Sequence, residues 1–180
     1  LSHQNFADMK YGLDPTFRFT VSRAIYKGML KFIAKRDNRP YIVQPLPVNS
    51  FAISKGENGV YNLSWKETVD TIESTAQPTY YIVQHRLNDG VFVDYTTVTE
   101  PSLSIEIKDN EIHSYRIIAG NDGGISFPSE ILAMCDMGDK KEPVLVVNGF
   151  TRISGPDTFE SGLIAGFNDT KDHGVPYIND

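Results

Sequence analysis

Gly59-Val60-Tyr61-Asn62-Leu63-Ser64-Trp65-Lys66-Glu67 decides how this chain is read. Side chains of an extended strand point alternately to its two faces, so Tyr61, Leu63 and Trp65 share one face while Asn62, Ser64 and Lys66 share the other. One face is core and the other is wet. Outward from this stretch, short period-two runs separated by turn residues continue from Val48 to Cys135. Thr79 to Arg86 puts Tyr81, Val83 and His85 on one side and Tyr80, Ile82 and Gln84 on the other. Bulk on both faces suits a central strand. Asn88-Asp89-Gly90 then forms a tight turn into Val91-Phe92-Val93. Leu103 to Ile107, Ser114 to Asn121 and Ile125 to Met134 follow, the last two joined by Asn121-Asp122-Gly123-Gly124. With Val48 to Ile53 as the first, seven strands fall within about 90 residues. A two-sheet antiparallel sandwich is the economical arrangement, because each sheet must cover its apolar face. Trp65, Tyr81 and Tyr115 are its expected core.

Before the sandwich, Asp14 can cap a helix, Pro15 suits its first turn, and Phe17, Val21, Ala24, Ile25, Leu30, Phe32 and Ile33 follow at helical spacing. The reading is an amphipathic helix of about five turns. Lys31, Lys35 and Arg36 favour its carbonyl end, and Arg39-Pro40 stops it. Its apolar stripe calls for a partner, either the following domain or a body outside this chain. Pro40, Pro45 and Pro47 flank Tyr41-Ile42-Val43-Gln44 and read as a stiff, extended linker.

After the sandwich, Lys140-Lys141-Glu142 leads into Pro143-Val144-Leu145-Val146-Val147-Asn148-Gly149-Phe150. Four apolar residues without alternation suit a strand buried on both sides, and the remainder shows no helix to cover it. The expectation is therefore the incomplete start of an α/β domain. The expected division is 1–39 for the helical tail, 40–47 for the linker, 48–136 for the sandwich and 137–180 for the last piece.

The 180 residues are 40% apolar and 22% charged, the balance of an ordinary globular chain. Seventeen basic against 23 acidic residues leave a net charge of -6, so no chain-wide positive field exists to hold nucleic acid. Cys135 alone makes no internal disulfide, and no Cys and His spacing matches a structural zinc site. No apolar run approaches the roughly 18 residues of a membrane span. Leu1-Ser2-His3-Gln4 resembles neither an initiator start nor a secretion signal, so the chain is expected to be cut at its front.

Several elements in order resemble the fibronectin type III family over about 46–136. Trp65 sits at the family's second-strand tryptophan. Tyr81-Ile82-Val83-Gln84-His85-Arg86 is similar to its third-strand Tyr-x-Val-x-Tyr-Arg pattern, with His85 in place of the second tyrosine. Tyr115 to Asn121, followed by Gly124-x-Ser126-x-Pro128-Ser129, resembles its sixth strand, turn and seventh strand. Asp109 stands where the family often has leucine, which bears on the tyrosine corner. The resemblance implies a seven-stranded immunoglobulin-like sandwich. Leu1 to Gly28 is similar to the closing loop and last helix of zinc-dependent N-acetylmuramoyl-L-alanine amidases, whose metal ligands and catalytic glutamate lie upstream of this loop. Val144 to Phe150, with Gly166-Phe167-Asn168-Asp169 and Asp172 to Ile178, resembles a segment of xanthan-lyase-like bacterial surface proteins. Together the resemblances imply an exported bacterial envelope protein, periplasmic, cell-surface or extracellular, with a zinc-dependent amidase or a polysaccharide lyase as the candidate parents.

No complete catalytic set, metal site or cofactor site is read in this chain, which is expected not to be an enzyme as it stands. His3, His85, His113 and His173 are scattered, and Asp169, Asp172 and His173 read as solvated loop. Ser154-Gly155-Pro156-Asp157 lacks a phosphate-binding fingerprint and reads as an ordinary connection. The candidate partner contacts are Tyr80, Tyr95, Asn121 and Asp122. The expected role is a spacer or interaction module between neighbouring domains, with a glycan- or protein-binding module and a fragment of a working amidase or lyase as the alternatives. Its expected partners are those domains and cell-wall glycan or polysaccharide.

Overall fold

The computed structural model describes residues 4–107, 110–138, 144–147, 153–168 and 170–175. They divide into two compact units, Leu1–Ile33 with Val144–Asp180, and Ala34–Pro143.

The larger unit is the sandwich. One sheet pairs β1 (Asn49–Lys55), β2 (Val60–Lys66) and β5 (Ser102–Glu106) in the order β1-β2-β5. The other has β4 (Val93–Val98), β3 (Tyr80–Leu87), β6 (His113–Asn121) and β7 (Gly124–Ile125) in the order β4-β3-β6-β7, with β8 (Leu132–Met134) also paired to β6. All these pairs are antiparallel. Tyr61, Leu63 and Trp65 of β2 and Ile105 of β5 meet Tyr81 and Val83 of β3 and Tyr115, Ile117 and Ala119 of β6 in one buried cluster. The alternation of β2 thus appears directly as burial, with Tyr61, Leu63 and Trp65 inside and Asn62, Ser64 and Lys66 exposed.

The seventh strand departs from expectation. Ile125 to Met134 is not continuous, because Pro128 has no N–H to offer the ladder. Two serines bridge the gap. The backbone amides of Ala119 and Ile117 donate to Oγ of Ser126 (3.0 Å) and Ser129 (2.9 Å), while each serine amide donates back to the same strand at 2.8 Å. Hydroxyls therefore stand in for the carbonyls that an unbroken strand would present.

The stretch read as a linker is part of this unit. Val43 and Pro45 are among the most completely buried side chains, and the Val43 amide donates to Thr75 Oγ1 at 3.1 Å. Tyr41 donates its hydroxyl to Glu73 Oε2 at 2.8 Å. The prolines do keep residues 41–45 extended, but extension here serves packing rather than freedom.

In the smaller unit, α1 (Phe6–Leu13) is a helix the periodicity reading missed, capped by Asn5, whose Oδ1 accepts from the Ala7 amide. The expected helix is α2 (Pro15–Arg36), where Asp14 Oδ1 accepts from the Thr16 amide at 2.8 Å. Asn38 in the left-handed conformation (φ 52°) and a bond from the Arg39 amide to the Ala34 carbonyl close it. Phe17, Val21, Ile25, Phe32 and Ile33 stand 41 to 68% exposed, and Ala34 is its buried residue.

β9 (Thr158–Ser161) and β10 (Ile164–Phe167) form a hairpin, steadied by a bridge between Ser154 and Val175. Val144 to Val147, expected to be a strand buried on both sides, has no regular structure and is 77 to 86% exposed. A two-stranded hairpin has no central position to offer such a strand, and among the described residues no α/β layer forms around it. Lys140-Lys141-Glu142 and Asn148 to Phe150 lie outside the described residues.

Burial of Tyr81, and then the nearby carboxylates of Glu67 and Glu100, push its phenol above the ordinary tyrosine value. The folded state holds that proton more tightly than the unfolded chain, so the contribution is complete below about pH 10 and is lost as pH rises through the folded value. Thermal unfolding should accordingly fall more steeply in alkali for the parent chain than for Tyr81→Phe. Parallel melting curves for the two would refute this.

Candidate functional site

The four candidate contacts do not form one site. Tyr80 is half-buried, with its ring over Gly120, where a Cβ would overlap it. Tyr95 is 54% exposed, and its ring meets His85 and Tyr115 edge-on at 6.0 and 6.4 Å. Asp122 is exposed at the turn between β6 and β7.

Asn121 is a correction: it is buried and faces no partner. Its Nδ2 donates among the carbonyls of Val43 (2.9 Å), Thr75 (3.1 Å) and Gln77 (3.1 Å), and its Oδ1 accepts from the Gly123 amide at 2.8 Å. One amide thus joins the proline-rich stretch, the 3-10 turn Ser74–Ala76 and the β6–β7 turn. Gly123 is needed beside it, because a Cβ there would lie 2.5 Å from the Ile42 carbonyl oxygen.

Trp65 is 4%, Tyr81 5% and Tyr115 3% exposed, with the Trp65 and Tyr81 rings edge-to-face at 5.4 Å. At the far end of the same core row, His85 Nε2 and His113 Nδ1 lie 3.0 Å apart while their ring centroids are 5.1 Å apart. The excess is nearly two ring radii, so the imidazoles meet edge to edge, one donating and one accepting. His173 is exposed, and Asp172 Oδ1 accepts from the Gly174 amide. Asp169, Asp109 and His3 lie outside the described residues.

A cleft of about 600 Å³ opens beside Lys55, Glu57, Asn58 and Asp136. The Gly138 amide, then the Tyr61 hydroxyl, then Lys55 at 3.6 Å hold the Asp136 carboxyl below its ordinary value. Among the described residues, no three His, Cys, Asp or Glu side chains converge to hold a metal ion.

Sequence reasoning missed the group with the most unusual chemistry. Phe92 leaves the strand it was assigned to, which begins only at Val93, and its ring lies 4.8 Å from the Arg86 guanidinium carbon and 4.2 Å from that of Arg116. Arg86 and Arg116 project from the outer face of the second sheet, opposite the core row of Tyr81, Val83 and Tyr115. Below them a polar rung crosses three strands. Arg116 Nε donates to Gln84 Oε1 at 2.7 Å, and Gln84 Nε2 donates to Asp94 Oδ1 at 2.7 Å. Arg86 reaches Ser114 Oγ only at 3.4 Å, and its buried Nε has no hydrogen-bond partner. The available signal was the even phase of Gln84 and Arg86, which puts two polar groups in line on one face.

The β1-β2-β5 sheet packed on the β4-β3-β6-β7 sheet defines a mainly β, antiparallel immunoglobulin-like sandwich of the fibronectin type III arrangement. No family model and no curated protein matches the chain. Solved structures similar to it include the twitchin kinase region from C. elegans, 23% identical with a TM-score of 0.48 over 56% of this chain and 18% of that one. The fibronectin type III domain of human fibronectin type III domain containing protein 3 is 17% identical, with a TM-score of 0.43 over 55% of this chain and 94% of its own. The fourth fibronectin type III domain of a human protein is 13% identical, with a TM-score of 0.46 over 56% of this chain and 85% of its own. The chain therefore spans only a small part of the twitchin chain and most of the isolated domains.

Proposed function

We propose that the chain is a non-catalytic spacing and interaction module of an exported bacterial envelope protein that acts on peptidoglycan or polysaccharide. The observation that carries the spacing role is the pinned stretch before the sandwich. Residues 41–45 are held by the Asn121 amide, Thr75 and Glu73, so this stretch is a fixed part of the sandwich unit instead of a free tether. The envelope setting rests on the likeness of both flanks to amidase and xanthan-lyase-like segments.

Hydrogen exchange tests the clamp, and the Val43 amide is expected to exchange as slowly as amides of β6. Exchange at the rate of an unstructured loop would remove the spacer reading. Incubation of the purified chain with muropeptides and with xanthan is expected to give no turnover above a buffer blank, and measurable turnover would overturn the non-catalytic role. The interaction role is favoured by the cationic and aromatic group on the outer sheet face, since a sheet built only as a spacer has no need of it.

A further inference from the structure

We propose that Arg86, Phe92 and Arg116 form a recognition surface for an acidic peptide segment that carries carboxylates at alternate residues. This rests on the reading of the chain as an interaction module. Among the described residues neither arginine forms an ion pair, and Asp94 on the neighbouring strand is engaged through the Gln84 amide. Two cations are therefore held beside one ring on a chain whose net charge is -6. Holding them there has a cost, since like charges are brought together and the Arg86 Nε is stripped of water without a replacement bond. An anionic partner offsets the crowding of the two positive charges, and the planar guanidinium fork fits a carboxylate with two parallel bonds.

The spacing selects the kind of partner. Arg86 lies opposite Ser114, and Arg116 lies opposite Gln84, so the two arginines are diagonal neighbours on adjacent strands. Diagonal positions are about 7 Å apart, close to the separation of residues i and i+2 on one face of an extended chain. A peptide reading Glu-x-Glu thus presents its carboxylates in step with the two forks. A sugar is less well served, because Phe92 already spends its ring on two guanidiniums and offers less surface for stacking.

The test is calorimetric titration of the full chain with a synthetic peptide of alternating Glu and Thr, beside the same peptide with Gln for Glu. Binding of the Glu peptide alone, weakened by salt, is expected. Arg86→Gln or Arg116→Gln should each weaken it about tenfold. Arg86→Lys keeps the charge and the packed stem but loses the fork, so binding by this variant should fall between the two while its melting temperature holds. Equal binding by parent and both Gln variants, or no heat at low salt, would overturn the proposal. Binding of oligogalacturonate in place of the peptide would overturn it also. A blank titration by a chain that turns over neither muropeptide nor xanthan removes this proposal alone, whereas turnover removes the non-catalytic reading alone.

Discussion

Trp65→Ala is expected to destabilise the sandwich by about 3–5 kcal/mol, enough to leave a marginally stable domain partly unfolded at room temperature. The side chain is 4% exposed and packs edge-on against Tyr81 at 5.4 Å and Phe51 at 6.5 Å. Removing it opens a cavity between sheets whose backbones are fixed by their ladders, so the site cannot collapse to fill it. Urea unfolding followed by far-ultraviolet circular dichroism is the suitable measurement, because Trp65 is the chain's sole tryptophan and its fluorescence leaves with it. Trp65→Phe is a useful companion. The indole Nε1 is buried without a hydrogen-bond partner, so phenylalanine loses packing but also removes an uncompensated donor, and should lose much less stability than alanine. An alanine variant within about 1 kcal/mol of the parent would mean that the two sheets do not close over this residue.

Asn121→Ala is expected to cost about 2 kcal/mol, and to do so in a way the tryptophan change does not. Its amide is shared among three carbonyls from segments that lie 44 to 78 residues away in the chain. Alanine leaves those oxygens and the Gly123 amide without this partner in a buried setting. The loss should be local before it is global. The amides of residues 41–44 and of Leu46 should exchange faster, while β2, β3 and β6 keep their protection. Unchanged exchange in this stretch would show that proline stiffness alone keeps it extended, with the Asn121 amide contributing nothing.

These two residues also mark the limits of reading the chain without its fold. Trp65 was legible because a strand alternates with period two, and Tyr61, Leu63 and Trp65 fall in phase within five positions. Asn121 was read as an exposed turn residue, since asparagine before Asp-Gly-Gly is ordinary turn chemistry. Nothing local says that the Val43 carbonyl arrives beside it. The same holds for Pro40 to Pro47, where composition reports stiffness correctly and is silent on what the stiff stretch lies against. Val144 to Val147 erred in the opposite direction, because an apolar run states a preference for burial but cannot supply the layers that would bury it.

Local chemistry determined the elements: the cap at Asp14, the alternation of β2, the glycine turns and the break at Pro128 all act within a few residues of themselves. The tertiary structure alone decided which distant groups share a surface. Arg86 and Arg116 meet around Phe92 because antiparallel pairing of β3 with β6 sets their register and the turn after β3 folds the ring back over them. Register and closure are properties of the paired sheets, and no stretch of the chain carries them by itself.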